Sequence, residues 1–231
     1  MARTPKARAL GAALRQARGD RNLLLRELAT EINRDIGVLS RWETGDRTPK
    51  PEQVAQILTK LGIAGPRYDE IMTLAYRTDE SQWVANTQPE RRQQMAAYLE
   101  WERNATHIVE VAPLLIPGLL QTGEYTRAIM TAAGVPKNEI ESRVTTRIQR
   151  RDVITRPKPA ELLVLLGRCA LSQDVGGRRV TIEQLKHLLE MAARTNIELR
   201  IVPDHRGWHP GLEGAFGLIE AGSASIVFVG T

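Results

Sequence analysis

The stretch Leu25 to Gly45, LRELATEINRDIGVLSRWETG, limits what this chain can fold into more than any other. Leu25, Leu28, Ala29 and Ile32 fall at i, i+3, i+4 and i+7, which predicts a short helix with one apolar face. Asn33 interrupts it, and Asn is, after Gly, the residue that best tolerates the left-handed backbone of a sharp turn. Asp35 is placed to cap a second helix, Leu39 and Trp42 turn its apolar side inward, and Gly45 stops it. Two short helices joined by so tight a turn form a helix-turn-helix unit, whose second helix lies in the major groove of DNA. An ordinary helical hairpin in a bundle core would show similar apolar faces. The small residue Ala29 at the close crossing, and helical patterns on both flanks, favour the first reading.

The outward face of the second helix carries Asp35, Ile36, Gly37, Ser40, Arg41 and Thr44. Arg41 and Ser40, with residues 35–37, are expected to approach bases, because they project opposite Leu39 and Trp42 and Arg is the commonest reader of guanine. Gly37 is expected to permit close approach rather than to read. Arg26, Arg47 and Lys50 flank this helix and are expected on phosphates. The run SRWETGDRTPKPEQV then resembles the phage-repressor-like helix-turn-helix family, the XRE or Cro/C1 type. That resemblance implies a five-helix, lambda-repressor-like domain that binds double-stranded DNA and regulates transcription. Three positions depart from the family pattern: Asn33 replaces the usual turn glycine, Arg34 stands where an apolar residue is usual, and Leu24, Leu25 and Arg26 replace a Ser/Thr cap followed by Gln. Arg26 is then a substitute phosphate contact.

Charge is distributed accordingly. Residues 1–78 hold 14 Lys/Arg against 9 Asp/Glu, and the remainder holds 18 against 18, so the whole excess of +5 lies in the helix-turn-helix segment. A segment that meets polyphosphate is expected to be the basic one. A single cysteine, Cys169, excludes an intramolecular disulfide, and its apolar setting, LLVLLGRCALS, predicts a buried, inert thiol. No apolar run has the length of a membrane span, and MARTPKARAL lacks the apolar core of a secretion signal, so a cytoplasmic protein is expected.

Residues 1–77 form the expected DNA-binding domain. Its first helix has Leu10, Ala13, Leu14 and Ala17 inward and Arg8, Arg15 and Arg18 outward. Pro51 opens a fourth helix lined by Val54, Ile57, Leu58 and Leu61, and Tyr68, Ile71, Met72 and Ala75 line a fifth. Residues 78–89 lack a helical period and read as a linker, with Trp83 as a packing anchor. Residues 90–231 form a second domain, of α+β class. Met95, Tyr98, Ala105 and Ile108 predict a long helix, Thr122 caps another, and residues 139–154, with Arg147, Arg150 and Arg151, form a charged third. The basic cluster is read as a solvated or internally paired face rather than an acidic-partner site. A helix from Thr181 to Ala193 is expected to turn Ile182, Leu185, Leu188, Leu189 and Ala192 inward. Strands are expected at 162–166, 197–202, 216–219 and 226–229, in a small, mostly antiparallel sheet following the helices.

IPGLLQTGEYTRA, then RIQRR, IELRIVP and GAFGLIE, together resemble the DUF5753-type domain of the WhiJ-like group of actinobacterial regulators. That resemblance covers about residues 90–231. It implies an antitoxin-like regulator encoded beside a small partner protein, and a domain in which further strand and helix usually follow SIVFVG. No catalytic residue, cofactor or metal ligand is assigned. His205 and His209, with Asp204, lie in a loop broken by Gly207 and Pro210, and Gly176 and Gly177 read as a turn. The alternative from another class is an autoproteolytic repressor, with Ser172 and Lys186 cutting at Ala64-Gly65 or Ala133-Gly134. A homodimer is expected, held mainly through residues 90–231. PLLIPGLL is either part of that interface or filling for the domain's own core.

Overall fold

The computed structural model describes residues 4–76, 78, 88–205, 207–222 and 224–229. The expected linker, 78–89, lies outside the described residues apart from 78, 88 and 89, and Trp83 lies outside them altogether. The chain divides into two compact units, residues 1–100 and residues 101–231.

The first unit contains α1 (Pro5–Gly19), α2 (Leu25–Glu31), α3 (Ile36–Glu43), α4 (Pro51–Lys60) and α5 (Pro66–Ala75). Pro stands at the start of α1, α4 and α5, where its missing N–H costs nothing. The Thr4 hydroxyl accepts the Ala7 N–H and caps α1. Leu10, Leu14, Leu28, Leu39, Val54 and Leu58 close the core, each no more than 2% exposed. Asn33 has φ 51° and Gly45 φ 72°, so both ends of the α3 segment use the left-handed backbone the sequence predicts. Ala97, on α6 (Gln88–Arg103), also belongs to this core.

The helix read through to Ile108 ends at Arg103, and His107–Ala112 is a strand, β1. HIVEVA alternates buried and half-exposed residues, a period of two that a helical count through Ala105 and Ile108 conceals. The other strands are β2 (Glu161–Gly167), β3 (Ile197–Val202), β4 (Phe216–Ala221) and β5 (Ala224–Val229), in the order β3-β2-β1-β4-β5. β1–β4 and β4–β5 pair antiparallel, whereas β1–β2 and β2–β3 pair parallel. The second unit is therefore mixed rather than helices followed by a sheet. Its parallel half follows from its connections: α7 (Gly123–Ala132), α8 (Lys137–Gln149) and α9 (Asp152–Thr155) link β1 to β2, and α10 (Arg168–Ser172) and α11 (Arg178–Ala192) link β2 to β3. α11 starts after Gly177, which has φ 87°, three residues before the expected cap. It buries Val180, Gln184, Leu188 and Met191, leaving Ile182 and Leu189 exposed. Cys169 is exposed, not buried: it lies on α10, beyond the end of β2, where Ala170 is the buried residue.

The RIQRR cluster is internally paired. Arg150 holds the Glu102 carboxylate through two 2.7 Å hydrogen bonds, and Arg147 donates to Gln121 Oε1 at 3.1 Å. Arg151 donates to the carbonyls of Leu119 and Gln121. Gln184 donates to the Leu120 carbonyl at 2.8 Å and accepts the Thr122 N–H at 2.7 Å. The PGLLQT segment is thus tied down by RIQRR and by α11. Leu119 and Leu120 are fully buried, while Leu114 and Leu115 are exposed, so PLLIPGLL fills the core with only part of its length.

Glu110 lies on the covered face of β1, between Ile108 and Ala112. Burial, reinforced by the neighbouring Glu102 carboxylate and opposed by Arg150, pushes its carboxyl up to about 7 from an ordinary value of 4.5. The folded chain therefore keeps a proton that the unfolded chain releases near pH 4.5. Stability from this group is full below that pH and is lost as pH rises through about 7. Glu110→Gln is expected to stabilise the full chain at pH 8 by on the order of 3 kcal/mol, with little effect at pH 4.5. Urea denaturation at the two pH values checks this.

Candidate nucleic-acid interface

α3 is eight residues long and does not persist without support, so both of its ends are fastened. At its start, Asp35 Oδ1 accepts the N–H groups of Gly37 (2.9 Å) and Val38 (3.2 Å). Asp35, read from sequence as both cap and base-facing residue, thus has one carboxylate oxygen committed to the helix. At its end, a Cβ on Gly11 of α1 would stand 2.6 Å from the Trp42 carbonyl oxygen, and one on Gly45 would stand 2.8 Å from Arg8 Cα. The backbones of α1 and the α3 terminus meet at a distance only glycine permits.

Glu43 is 7% exposed and takes a two-pronged hydrogen bond from Arg18, at 2.7 and 2.8 Å. This bond holds the Arg18 guanidinium above its ordinary pKa. Arg15 donates to the Glu43 carbonyl at 3.1 Å. The expectation that Arg18 points to solvent is therefore corrected, while Arg15 is exposed as expected. Both face the C-terminal end of α3, where cations also oppose the helix dipole. Glu43 was missed from sequence. Its signal is position: it lies one turn beyond Leu39, on the inward face.

On the outward face, Ile36 is 48% exposed, Arg41 and Thr44 are exposed, and Ser40 is half-buried. The Thr44 hydroxyl donates to the Arg41 carbonyl at 3.3 Å. A Cβ on Gly37 would come 3.5 Å from Arg41 Nη1 and 3.0 Å from Asp35 Oδ1. Gly37 thus leaves room for the Arg41 side chain to lie along the helix toward its N-terminus.

Arg47 and Lys50 come together with Arg34 along a groove beside α3, whose other lining residues include Asn33, Trp42 and Thr48. Arg34 was not among the sequence-predicted contacts, although the charge at this usually apolar position was visible. Arg26 is exposed on α2 and lies apart from this groove, beside Glu27, Thr30 and Glu31. Arg26, Arg34, Arg41, Arg47 and Lys50 make no ion pair among the described residues. The absent Ser/Thr cap of α2 is replaced by Glu27, whose carboxylate accepts the Leu24 N–H at 2.8 Å.

The groups considered for other chemistry are engaged elsewhere. The Ser172 hydroxyl donates to the Cys169 carbonyl at 3.1 Å, and the Lys186 ammonium pairs with Glu183 at 3.0 Å. Asp204 pairs with Arg168 at 3.8 Å.

A helix fastened at both ends, joined to α2 by a tight turn at Asn33 and flanked by exposed cations has the geometry of a helix-turn-helix. In agreement, the family model described as a helix-turn-helix domain matches residues 9–71, and that described as a domain of unknown function (DUF5753) matches residues 95–231. The second match spans more than half of the chain, which therefore belongs to the DUF5753 family. No curated protein and no solved structure matches it.

Glu43→Ala is expected to cost on the order of 3 kcal/mol, because it leaves Arg18 partly buried without its carboxylate. A double-mutant cycle with Arg18→Ala, read by thermal unfolding, checks the coupling. For the cations, each lost phosphate contact flattens the slope of log affinity against log salt by about 0.9. Arg26→Ala, Arg34→Ala, Arg47→Ala and Lys50→Ala are each expected to show that change with the preferred sequence retained. An unchanged slope in a salt titration removes that residue from the phosphate contacts.

Proposed function

We propose that this chain is a sequence-specific transcriptional regulator of the XRE type, a repressor that acts in the cytoplasm and reads the major groove with α3. The observation that carries the reading is the combination at α3: an inner face locked by Leu39, Trp42 and Glu43, and an outer face of Ile36, Ser40, Arg41 and Thr44 beside the Arg34, Arg47 and Lys50 cations. In this reading Arg41 contacts a guanine edge, Ile36, Ser40 and Thr44 line the base side, and Asp35 and Gly37 shape the helix start.

One such helix covers few base pairs, too few to select a site in a genome. We propose a homodimer that places two copies of α3 on half-sites about one turn apart, with residues 90–231 supplying most of the interface. Exposed Leu114, Leu115, Val227 and Val229 in the second unit support this assignment. The same unit is proposed to receive a small partner protein, in the manner of an antitoxin-like regulator. The chain acts by binding, not as an enzyme.

Arg41→Ala is expected to cost about 1–3 kcal/mol on the preferred site and much less on unrelated DNA. Equal loss on all sequences makes Arg41 a phosphate contact instead. Light scattering of the full chain is expected to give a dimer at micromolar concentration; a monomer on palindromic DNA contradicts the assembly.

A further inference from the structure

We propose that α3 reads a thymine–guanine step: Arg41 takes the guanine edge and Ile36 packs against the 5-methyl group of the neighbouring thymine. This rests on the DNA-binding reading above. The placement comes from Gly37. A Cβ there would stand 3.5 Å from Arg41 Nη1, so the guanidinium lies over Gly37, one turn back from its own Cα. A side chain longer than alanine at position 37 would occupy that place. Ile36 immediately precedes Gly37. Consecutive Cα atoms are about 3.8 Å apart, which sets Arg41 Nη1 no more than roughly 9 Å from the Ile36 Cα. The ends of the two side chains therefore leave the helix close enough together to meet neighbouring base pairs.

What each side chain can read follows from its chemistry. Arg41 is exposed and has no ion pair among the described residues, so its fork is free for two hydrogen bonds. On the major-groove edge only guanine offers a matching pair of acceptors, N7 and O6. Asp35 Oδ1 would stand 3.0 Å from the same Cβ, and the N–H groups of Gly37 and Val38 hold it there. Attraction to that fixed carboxylate favours the guanidinium at this end of the helix. Ile36 is 48% exposed and carries no polar atom, so it can read a base only by apolar contact. The one apolar group that a base presents in the major groove is the thymine methyl. A lone exposed isoleucine is ordinary on a protein surface. This one is the only large apolar side chain among the outward residues of α3, and it stands beside the guanine reader.

The test begins with duplexes selected from random DNA by the full chain, in which a thymine–guanine step is expected in each half-site. Replacing that thymine by deoxyuridine removes only the methyl group and is expected to weaken binding roughly fourfold, the worth of one buried group of that size. Replacing the guanine by 7-deazaguanine removes the N7 acceptor and is expected to weaken binding about tenfold. Ile36→Ala is expected to bind the thymine and deoxyuridine duplexes equally while still responding to 7-deazaguanine. Arg41→Ala is expected to show the reverse. Both side chains are exposed, so neither substitution opens the core, and the two base replacements need no variant. Selected half-sites without this step, or an unchanged affinity with either replaced base, overturn the proposal and leave DNA binding standing. A preference for thymine over deoxyuridine that persists in Ile36→Ala assigns the methyl to another residue and overturns it as well. A chain that selects no duplex overturns the DNA-binding reading and this proposal together.

Discussion

The ion pair between Arg18 and Glu43 ties α3 to its scaffold, and the arrangement of the outer face depends on it. α3 has too few residues to be stable by its own hydrogen bonds, so its direction is set by what it packs against. Leu39 and Trp42 supply the apolar area. Gly11 and Gly45 let the backbone of α1 come within contact of the end of α3. Glu43 then fixes the remaining rotation, because its two carboxylate oxygens match the fork of Arg18 in only one alignment. A pair of this kind adds little net stability over a well-packed apolar substitute. Its value here is orientation: rotation of α3 about its axis would move Arg41 and Ile36 away from the groove face.

The second unit repeats the device with different parts. The leucine-rich PGLLQT segment closes one short helical turn, Gly118–Leu120, and leaves the Leu119, Leu120 and Gln121 carbonyls and the Thr122 N–H to other partners. Arg151 and Gln184 satisfy them, Gln121 ties down the preceding Ile116 carbonyl, and Arg150 neutralises Glu102. The short sequence signatures of this domain are thus contacts of one another rather than separate surface sites. Glu110 is the discordant element, a second carboxyl beside a pair that already balances. It keeps its proton until the pH approaches about 7, at the cost of a pH-dependent stability, and β1, the central strand, bears that cost.

Much of the first unit was legible in the sequence because local rules and tertiary packing agree there. Asn33, Asp35 and Gly45 each do what their backbone preferences dictate, and the apolar spacing of α1 to α5 matches the buried set. The candidate site was partly legible. Arg41, Arg47 and Lys50 are exposed cations as read, but Arg34 and Glu43 were not assigned. Their roles depend on which face meets α1 or the groove, and a pattern along one helix does not carry that. The second unit was harder. HIVEVA follows a helix directly, so a helical count runs into it, and Gln184 occupies a buried position that an apolar template would give to Leu189. Parallel pairing of β1, β2 and β3 is decided by the crossovers, which no strand's own sequence reveals.

The central claim is that the exposed face of α3 enters the major groove of a specific duplex. Methylation interference on a duplex selected from random DNA by the full chain tests it most directly, since dimethyl sulfate marks guanine N7 in the major groove and adenine N3 in the minor groove. The account predicts that N7 methylation at guanines within each half-site blocks binding and that N3 methylation of adenines in the same half-sites does not. Interference confined to adenine N3, or none at any guanine of the selected site, would contradict it.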